Sequence, residues 1–509
     1  IGYRLVGSEM CIRDSRYSGK PAAFLRAFKA GYFAILYNFI VMGWVINAMA
    51  SVVSVMLNMD KWTAVWLCVI IALVYAILSG FWGVVVTDLV QFVIAMFGSI
   101  ALAIIALNYV GGMEVLLSKL NELLGSDVVT DNTLKFIPPI PDTGVATQTF
   151  WESSFSKFLI FISVMWWSHH GTDGGGYIIQ RMSSAKNERH ALLATLWFNI
   201  AHYALRVWPW IIVAVVSIVM FPIIPSEYSE LGVKAGYPLV MNTLLGPGLK
   251  GILIVSFLAA FMSTIDTHLN WGVSYLINDI YKRFFKPNES ERHYVLVGKI
   301  MTVILMILAA FTALKMQSIS KAWEFIFAMG AGIGLVLILR WFWWRVNAWS
   351  EITALATSIV ITISFEIIAY FQTINNNLEY SLFGSAPSIF GMSLQVHHKL
   401  MIIVPIAIIA WVTVTFFTEP EPMTKLESFY KRVQPGGWWG PVTSSFDHTL
   451  QPVTKGIFIL WLAGVMMIYG FTFGIGNLIF QNYSSSVILF GFAGIGAYLI
   501  WNRNISKLT

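Results

Sequence analysis

The chain has 509 residues, 57% of them hydrophobic and 11% charged, with a mean hydropathy of +0.71. Apolar runs of about 20 residues recur along it, which excludes a soluble globular domain and defines an all-α polytopic membrane protein embedded in a lipid bilayer. The net charge of +6 comes with no basic cluster of interleaved aromatics, so it reads as cytoplasmic loop bias and not as a nucleic-acid footprint. The two cysteines, Cys11 and Cys68, lie far apart, so no disulfide framework and no metal cluster are expected.

Residues 1–15, IGYRLVGSEMCIRDS, have neither apolar periodicity nor a signal-peptide pattern and read as a non-native segment. The native sequence then starts abruptly at Arg16, as if an N-terminal stretch were missing. Residues 16–509 read as a single transmembrane domain. A basic lead, RYSGKPAAFLRAFKAG, enters a helix to about Met59 that contains Asn38 and Asn47. A second helix covers about 61–79 and a third about 81–110. The third carries Thr87, Asp88 and Gln91; Asp88 and Gln91 form an i, i+3 pair near a membrane boundary, where interfacial capping is the simplest use.

The loop 111–148 holds one amphipathic helix, MEVLLSKLNELLG, and its acids outnumber its bases, which places it outside the cell. The next apolar segment, 149–182, is interrupted by SHHGTDGGGY. Asp173 and Gly174 to Gly176 are poor filling for a continuous helix. Because apolar IIQRM follows, the segment reads as a broken helix, with early termination in a Gly-rich loop as the alternative. In 190–221, Asn199, His202, Tyr203 and Arg206 follow i, i+3, i+4, i+7, one polar stripe on an apolar span. Arg206 needs a partner there, Asp173 being a candidate, unless it snorkels to an interface.

The stretch 247–285 is a long apolar helix with a polar centre, Ser263-Thr264-Ile265-Asp266-Thr267-His268. Ala260, Ser263 and Thr264 share one face at i, i+3, i+4. A carbonyl and two hydroxyls would suit a hard cation; two hydroxyls bonding back to their own helix are the alternative. Further helices are expected at about 293–315, 321–345, 348–373, 398–418, 455–476 and 484–501, giving about twelve. In 321–345, Trp323-Glu324 precedes AMGAGIG, read mainly as a packing surface, and Arg340 to Arg345 read as an interfacial belt. Alternating directions put the Lys- and Arg-rich loops, including 419–454, on the cytoplasmic side.

Three segments taken in order, GFWGVVVTDLVQF, the run ending YIIQR and GLKGILIVSFLAAFMSTIDTHLN, resemble the sodium:solute symporter family, which includes the sodium/glucose cotransporters. The resemblance runs from about Arg16 to the C-terminus. It implies a LeuT-like inverted-repeat bundle with the first core helices missing from this chain. It implies a sodium ion held by the Ala260 carbonyl and the Ser263 and Thr264 hydroxyls, with Asp88 on the ion's exit path. It implies solute contacts at Tyr177, beside Gly176, at Asn199 and at Trp323. The polar stripe and the interrupted segment, read from the residues themselves, add Asp173, His202 and Arg206 as candidate solute contacts. At Gly175 and Gly176 the family's sugar transporters carry Asn or Gln, a departure from a simple hexose site.

The expected activity is sodium-coupled symport of a small organic solute, sugar-like, by alternating access at the cell membrane. No enzyme activity and no cofactor beyond the coupling ion are expected. A membrane solute sensor without transport is the alternative, although no soluble output domain follows. An enzyme reading would rest on His169, His170 and Asp173, which lack a second ligand set at helical spacing.

Overall fold

A computed structural model describes residues 15–78, 81–125, 134, 137–140, 147–172, 182, 185–377, 383, 386–389, 391–444 and 456–502. Among these residues, nine helices are long and apolar enough to cross a membrane. The pair Ile319–Gly330 and Gly334–Phe342 forms a further span bent by 40°. Two shorter apolar helices, Lys61–Ile77 and Ser154–Ser168, complete the set, and each span falls on one of the apolar runs read from the sequence.

Local chemistry sets the ends. Asn58 closes Asn38–Leu57 in the left-handed conformation at φ 51°, which Asn tolerates better than most residues. Asp60 then accepts the Thr63 N–H at 2.9 Å and starts the next helix. Ser290 caps Glu291–Lys315 through the His293 N–H. Asn347 and Ser350 form a reciprocal capping box on Ala348–Asn375. A two-stranded antiparallel hairpin pairs Ser388 with Ser393 and Ile389 with Met392.

Among the described residues, four stretches of five or more residues are π-helical: Tyr32–Tyr37, Phe161–Met165, Ile200–Leu205 and Tyr275–Phe285. A π turn holds more than 3.6 residues, so each stretch rotates the faces beyond it. Through Ile200–Leu205 the stripe from Asn199 to Arg206 is therefore not one straight α-helical face.

The chain divides into two compact units. The first comprises 1–91, 140–179 and 257–448, the second 92–139, 180–256 and 449–509. In the first, the helices from Gly19–Leu57, Pro247–Phe285 and Glu291–Lys315 bury Met42, Ile46, Ile265, Leu269, Leu305 and Ala309 against one another. Gly43 permits their close approach: a Cβ there would lie 2.8 Å from Thr312 Cγ2. In the second, Gly456–Ile479 and Tyr483–Ile500 form a hairpin. Gly470 faces the Leu489 carbonyl and Gly496 the Ala463 carbonyl, both too close for a methyl group.

Two expectations change. The run AMGAGIG does pack tightly, but it also breaks its helix at 331–333. Arg340, read as part of an interfacial belt, is 3% exposed and paired with Glu351, which is fully buried. A charge so near a helix end is cheaper against a carboxylate than its position in the sequence suggests.

Candidate functional site

The sequence-derived cation ligands sit within the first unit on Pro247–Phe285. Ala260 is exposed, and Ser263 and Thr264 are half-buried. The Thr264 hydroxyl donates to the Ala260 carbonyl at 2.9 Å. This is the back-bonding alternative in its usual geometry. It also holds two oxygens side by side, and each keeps a lone pair that faces away from the shared hydrogen. Asp88 lies on Phe81–Val110, but its side chain is outside the described residues. Asp173, Gly176 and Tyr177 are outside them as well.

The helix that precedes Asp173 ends at Ser168, followed by a turn through Thr172. The Gly171 N–H donates to His169 Nδ1 at 2.9 Å, which leaves the proton of the neutral ring on Nε2. This turn packs on the break between Ile319–Gly330 and Gly334–Phe342. A Cβ at Gly330 would lie 2.5 Å from His170 Nδ1, and one at Gly334 would lie 2.2 Å from the Trp167 carbonyl. Glycine is required at 334 because backbone atoms fill the space that a side chain would need.

Around that junction stands an aromatic wall. The His170 ring lies 5.0 Å from Tyr37, 5.6 Å from Phe33 and 6.3 Å from Tyr32, each edge to face. Tyr37 continues to His268 and Trp271 at 6.4 and 6.1 Å. On the other side His169 meets Phe327 at 5.4 Å, and Phe327 meets Trp323 at 3.8 Å. Each such pair adds about 0.5–1.5 kcal/mol beyond area burial. The Tyr32 hydroxyl is buried with no hydrogen-bond partner among the described residues, an orphan donor inside the wall. Trp323 is 39% exposed.

Of the described residues expected to touch solute, only Trp323 is placed in this wall. Asn199, His202 and Arg206 belong to the second unit, where they are satisfied mainly by their own helix. Asn199 Nδ2 donates to the Thr195 carbonyl at 2.8 Å. Arg206 Nη2 and His202 Nε2 are 3.4 Å apart, and the guanidinium lies 5.4 Å from the Trp210 ring centroid. Arg206 is half-buried, and its Nε has no partner among the described residues. Sequence reasoning missed Tyr32, Tyr37 and Trp271, and it read His170 only as an enzyme candidate and His268 only as part of a polar helix centre. His268, Trp271 and Tyr275 recur at i, i+3, i+7, a visible signal that core packing produces equally well. Among the described residues no group of three or more His, Cys, Asp or Glu could hold a metal ion.

A helix end packed on the break of a bent helix pair, within a set of long apolar helices, belongs to a multi-pass membrane protein; whether 149–182 continues as a broken helix lies outside the described residues. Residues 12–360 match the model of the sodium:solute symporter family, and the chain belongs to that family. It is similar to sodium/glucose cotransporter 1 of Oryctolagus cuniculus, 25% identical over 421 residues, which cover 76% of this chain and 61% of the relative. It is also similar to the high-affinity proline transporter PutP of Bacillus subtilis (strain 168), 24% identical over 360 residues, covering 67% and 68%. A solved Na+-coupled sialic acid symporter, in a substrate-bound outward-open state, shares the fold with a TM-score of 0.52 at 16% identity, over 83% of this chain and 78% of that one. The chain spans 61% and 50% of the lengths of the two cotransporters it matches in rabbit and in Danio rerio. The fold is thus the LeuT-like one, and these relatives are transporters by name.

Proposed function

We propose that residues 16–509 form one transporter domain that imports a small organic solute together with sodium across the cell membrane. The observation that carries this reading is the oxygen pair of Ala260 and Thr264, held at 2.9 Å on a half-exposed helix face in a member of this family. Sodium would take the Ala260 carbonyl and the Ser263 and Thr264 hydroxyls, all hard oxygen donors. Asp88 would lie on its exit path. Solute would bind along the aromatic wall, beside Asp173, Gly176 and Tyr177, with Trp323 as one stacking face. Asn199, His202 and Arg206 would line its route.

The solute we favour is sugar-like and uncharged. Ring faces such as Trp323 suit the C–H face of a polyol, and the Tyr32 hydroxyl, without a partner among the described residues, suits one of its oxygens. The names of relatives widen the range of probes to glucose, proline and sialic acid. Ion and solute would be coupled because each stabilises the same conformation, a reciprocal linkage.

The test is uptake of labelled glucose, proline and sialic acid into vesicles that contain the purified protein. Accumulation should follow an inward sodium gradient and collapse when potassium replaces sodium. Saturable binding with no sodium-driven accumulation would favour the sensor alternative and overturn symport.

A further inference from the structure

A buried charge cluster lies at the Lys- and Arg-rich end of the first unit, and the symport reading does not use it. Glu351, fully buried, stands in the first turn of Ala348–Asn375. Its Oε1 accepts from Arg340 Nη1 at 3.0 Å and from the Tyr17 hydroxyl at 2.6 Å. Its Oε2 accepts from Lys29 Nζ. Lys29 belongs to the helix Gly19–Leu57, and Arg340 to Gly334–Phe342, the second arm of the broken helix. Arg16 closes the same arm from outside. Its Nε donates to the Arg340 carbonyl at 3.2 Å, and its Nη2 to those of Trp343, Trp344 and Val346 at 3.2, 2.9 and 3.0 Å. Helices leave such carbonyls without partners at their ends, and a cation there is favoured by the helix dipole. Trp439 stacks on that guanidinium at 4.9 Å, and Trp438 N–H donates to the Phe342 carbonyl at 2.6 Å.

The first arm, Ile319–Gly330, is held differently. Its ion pair, Lys321 with Glu324, is internal to the arm, and its buried face is Ala322, Ile326, Ala328 and Met329. Apolar faces slide at small cost, whereas a buried ion cluster has one good arrangement and resists opening.

We infer that Glu351 is a positioning residue for the transport cycle: with Lys29 and Arg340 it clamps the arm 334–342 to the helix Gly19–Leu57, so that any parting of the two arms occurs at 331–333. The inference rests on the transporter reading for its purpose, but its test does not require transport.

Lys29→Met removes the one contact that the clamp makes from within the helix Gly19–Leu57 and still leaves Glu351 paired with Arg340 and Tyr17, so the fold is not burdened with a lone buried carboxylate. In a background with Cys11→Ala and Cys68→Ala, a reporter cysteine is placed on each arm, at Leu337 (Leu337→Cys) or at Ile326 (Ile326→Cys), both buried. In reconstituted vesicles, Lys29→Met should speed maleimide labelling at 337 by about fivefold or more while labelling at 326 stays at the parental rate. Lys29→Arg, which keeps the ion pair, should restore slow labelling at 337. Equal acceleration at both sites would mean general loosening and would overturn the proposal, as would no change at 337. Failure of the parent to take up any solute would count against symport alone, because the labelling comparison needs no gradient.

Discussion

The Asn38 amide grips one residue of a neighbouring helix at two points. Its Nδ2 donates to the His268 main-chain oxygen at 2.7 Å, and its Oδ1 faces His268 Nδ1 at 2.8 Å. With the amide oriented this way, Nδ1 carries the imidazole proton and donates it. Gly272, one turn further on, makes the approach possible: a Cβ there would lie 2.3 Å from Asn38 Nδ2. Thr264 lies one turn before His268, so this contact sets the register of the helix that bears the proposed sodium oxygens.

Replacing Asn38 with Leu, similar in volume, would leave a buried imidazole N–H without an acceptor. We expect a loss of about 2–4 kcal/mol of stability from the two bonds and the unsatisfied donor. Sodium half-saturation should rise as well, because the register of the 260–264 face is no longer fixed. Chemical unfolding in detergent and sodium-dependent uptake read the two effects. An Asn38→Leu protein with parental values in both would show that the contact is incidental.

Thr264→Ala and Ser263→Ala each remove one hydroxyl from the proposed ion site. Thr264 already has the Ala260 carbonyl as its acceptor, so the alanine variant leaves the helix intact and takes away one oxygen. Sodium half-saturation should rise about tenfold for each variant, the equivalent of roughly 1.4 kcal/mol. Thr264→Ser should remain near the parent. Unchanged sodium dependence in both alanine variants would remove this site from consideration.

Gly334→Ala tests the junction between the helix that ends at Ser168 and the bent pair Ile319–Gly330 and Gly334–Phe342. The new methyl would meet the Trp167 carbonyl oxygen at 2.2 Å and the Ser168 carbonyl carbon at 2.4 Å, both backbone atoms that cannot rotate away. Overpacking of this kind costs about 1–3 kcal/mol even in cores that relax. We expect lower thermal stability and loss of uptake, whereas Gly251→Ala, which meets nothing within 4 Å, should be nearly silent. Comparable melting temperatures for the two variants would show that the junction yields freely.

The contrast between these residues explains what the sequence could disclose. Among the described residues each long apolar run became a helix, because burying backbone polar groups in lipid leaves few other choices. The Ala260, Ser263, Thr264 face was legible because it lies on regular α-helix at fixed spacing. The Asn199 to Arg206 stripe was less so, because Ile200–Leu205 is π-helical and a 3.6-residue period misplaces its faces. Glu351 was not singled out in the sequence, where it is one acid in a first helical turn. Its partners Tyr17 and Lys29 are 334 and 322 residues away, a separation that no local pattern reports. The role of His170 was hidden in the same way: its neighbours Tyr32, Phe33 and Tyr37 lie on a distant helix.

Glu421 gives a pH signature that requires no transport. It is 7% exposed, and its Oε2 accepts from both the N–H and the hydroxyl of Ser18, each at 2.9 Å. Burial is the largest influence and pushes its carboxyl above the ordinary value of 4.5; the Ser18 bonds and the Arg16 charge pull the other way without cancelling it. A carboxyl raised in the folded state binds its proton more tightly there than in the unfolded chain. Its contribution is therefore fully present below about pH 4.5 and is lost as pH rises through the folded value. Glu421→Gln is permanently neutral and can still accept from Ser18. It should match the parent near pH 4 and melt at a higher temperature near pH 7, so that the parent shows the steeper decline across roughly that interval. Thermal unfolding in detergent across the same range provides the comparison. A glutamine variant that melts below the parent at neutral pH would mean that the ionised carboxylate, held by Ser18 and Arg16, is the stabilising form.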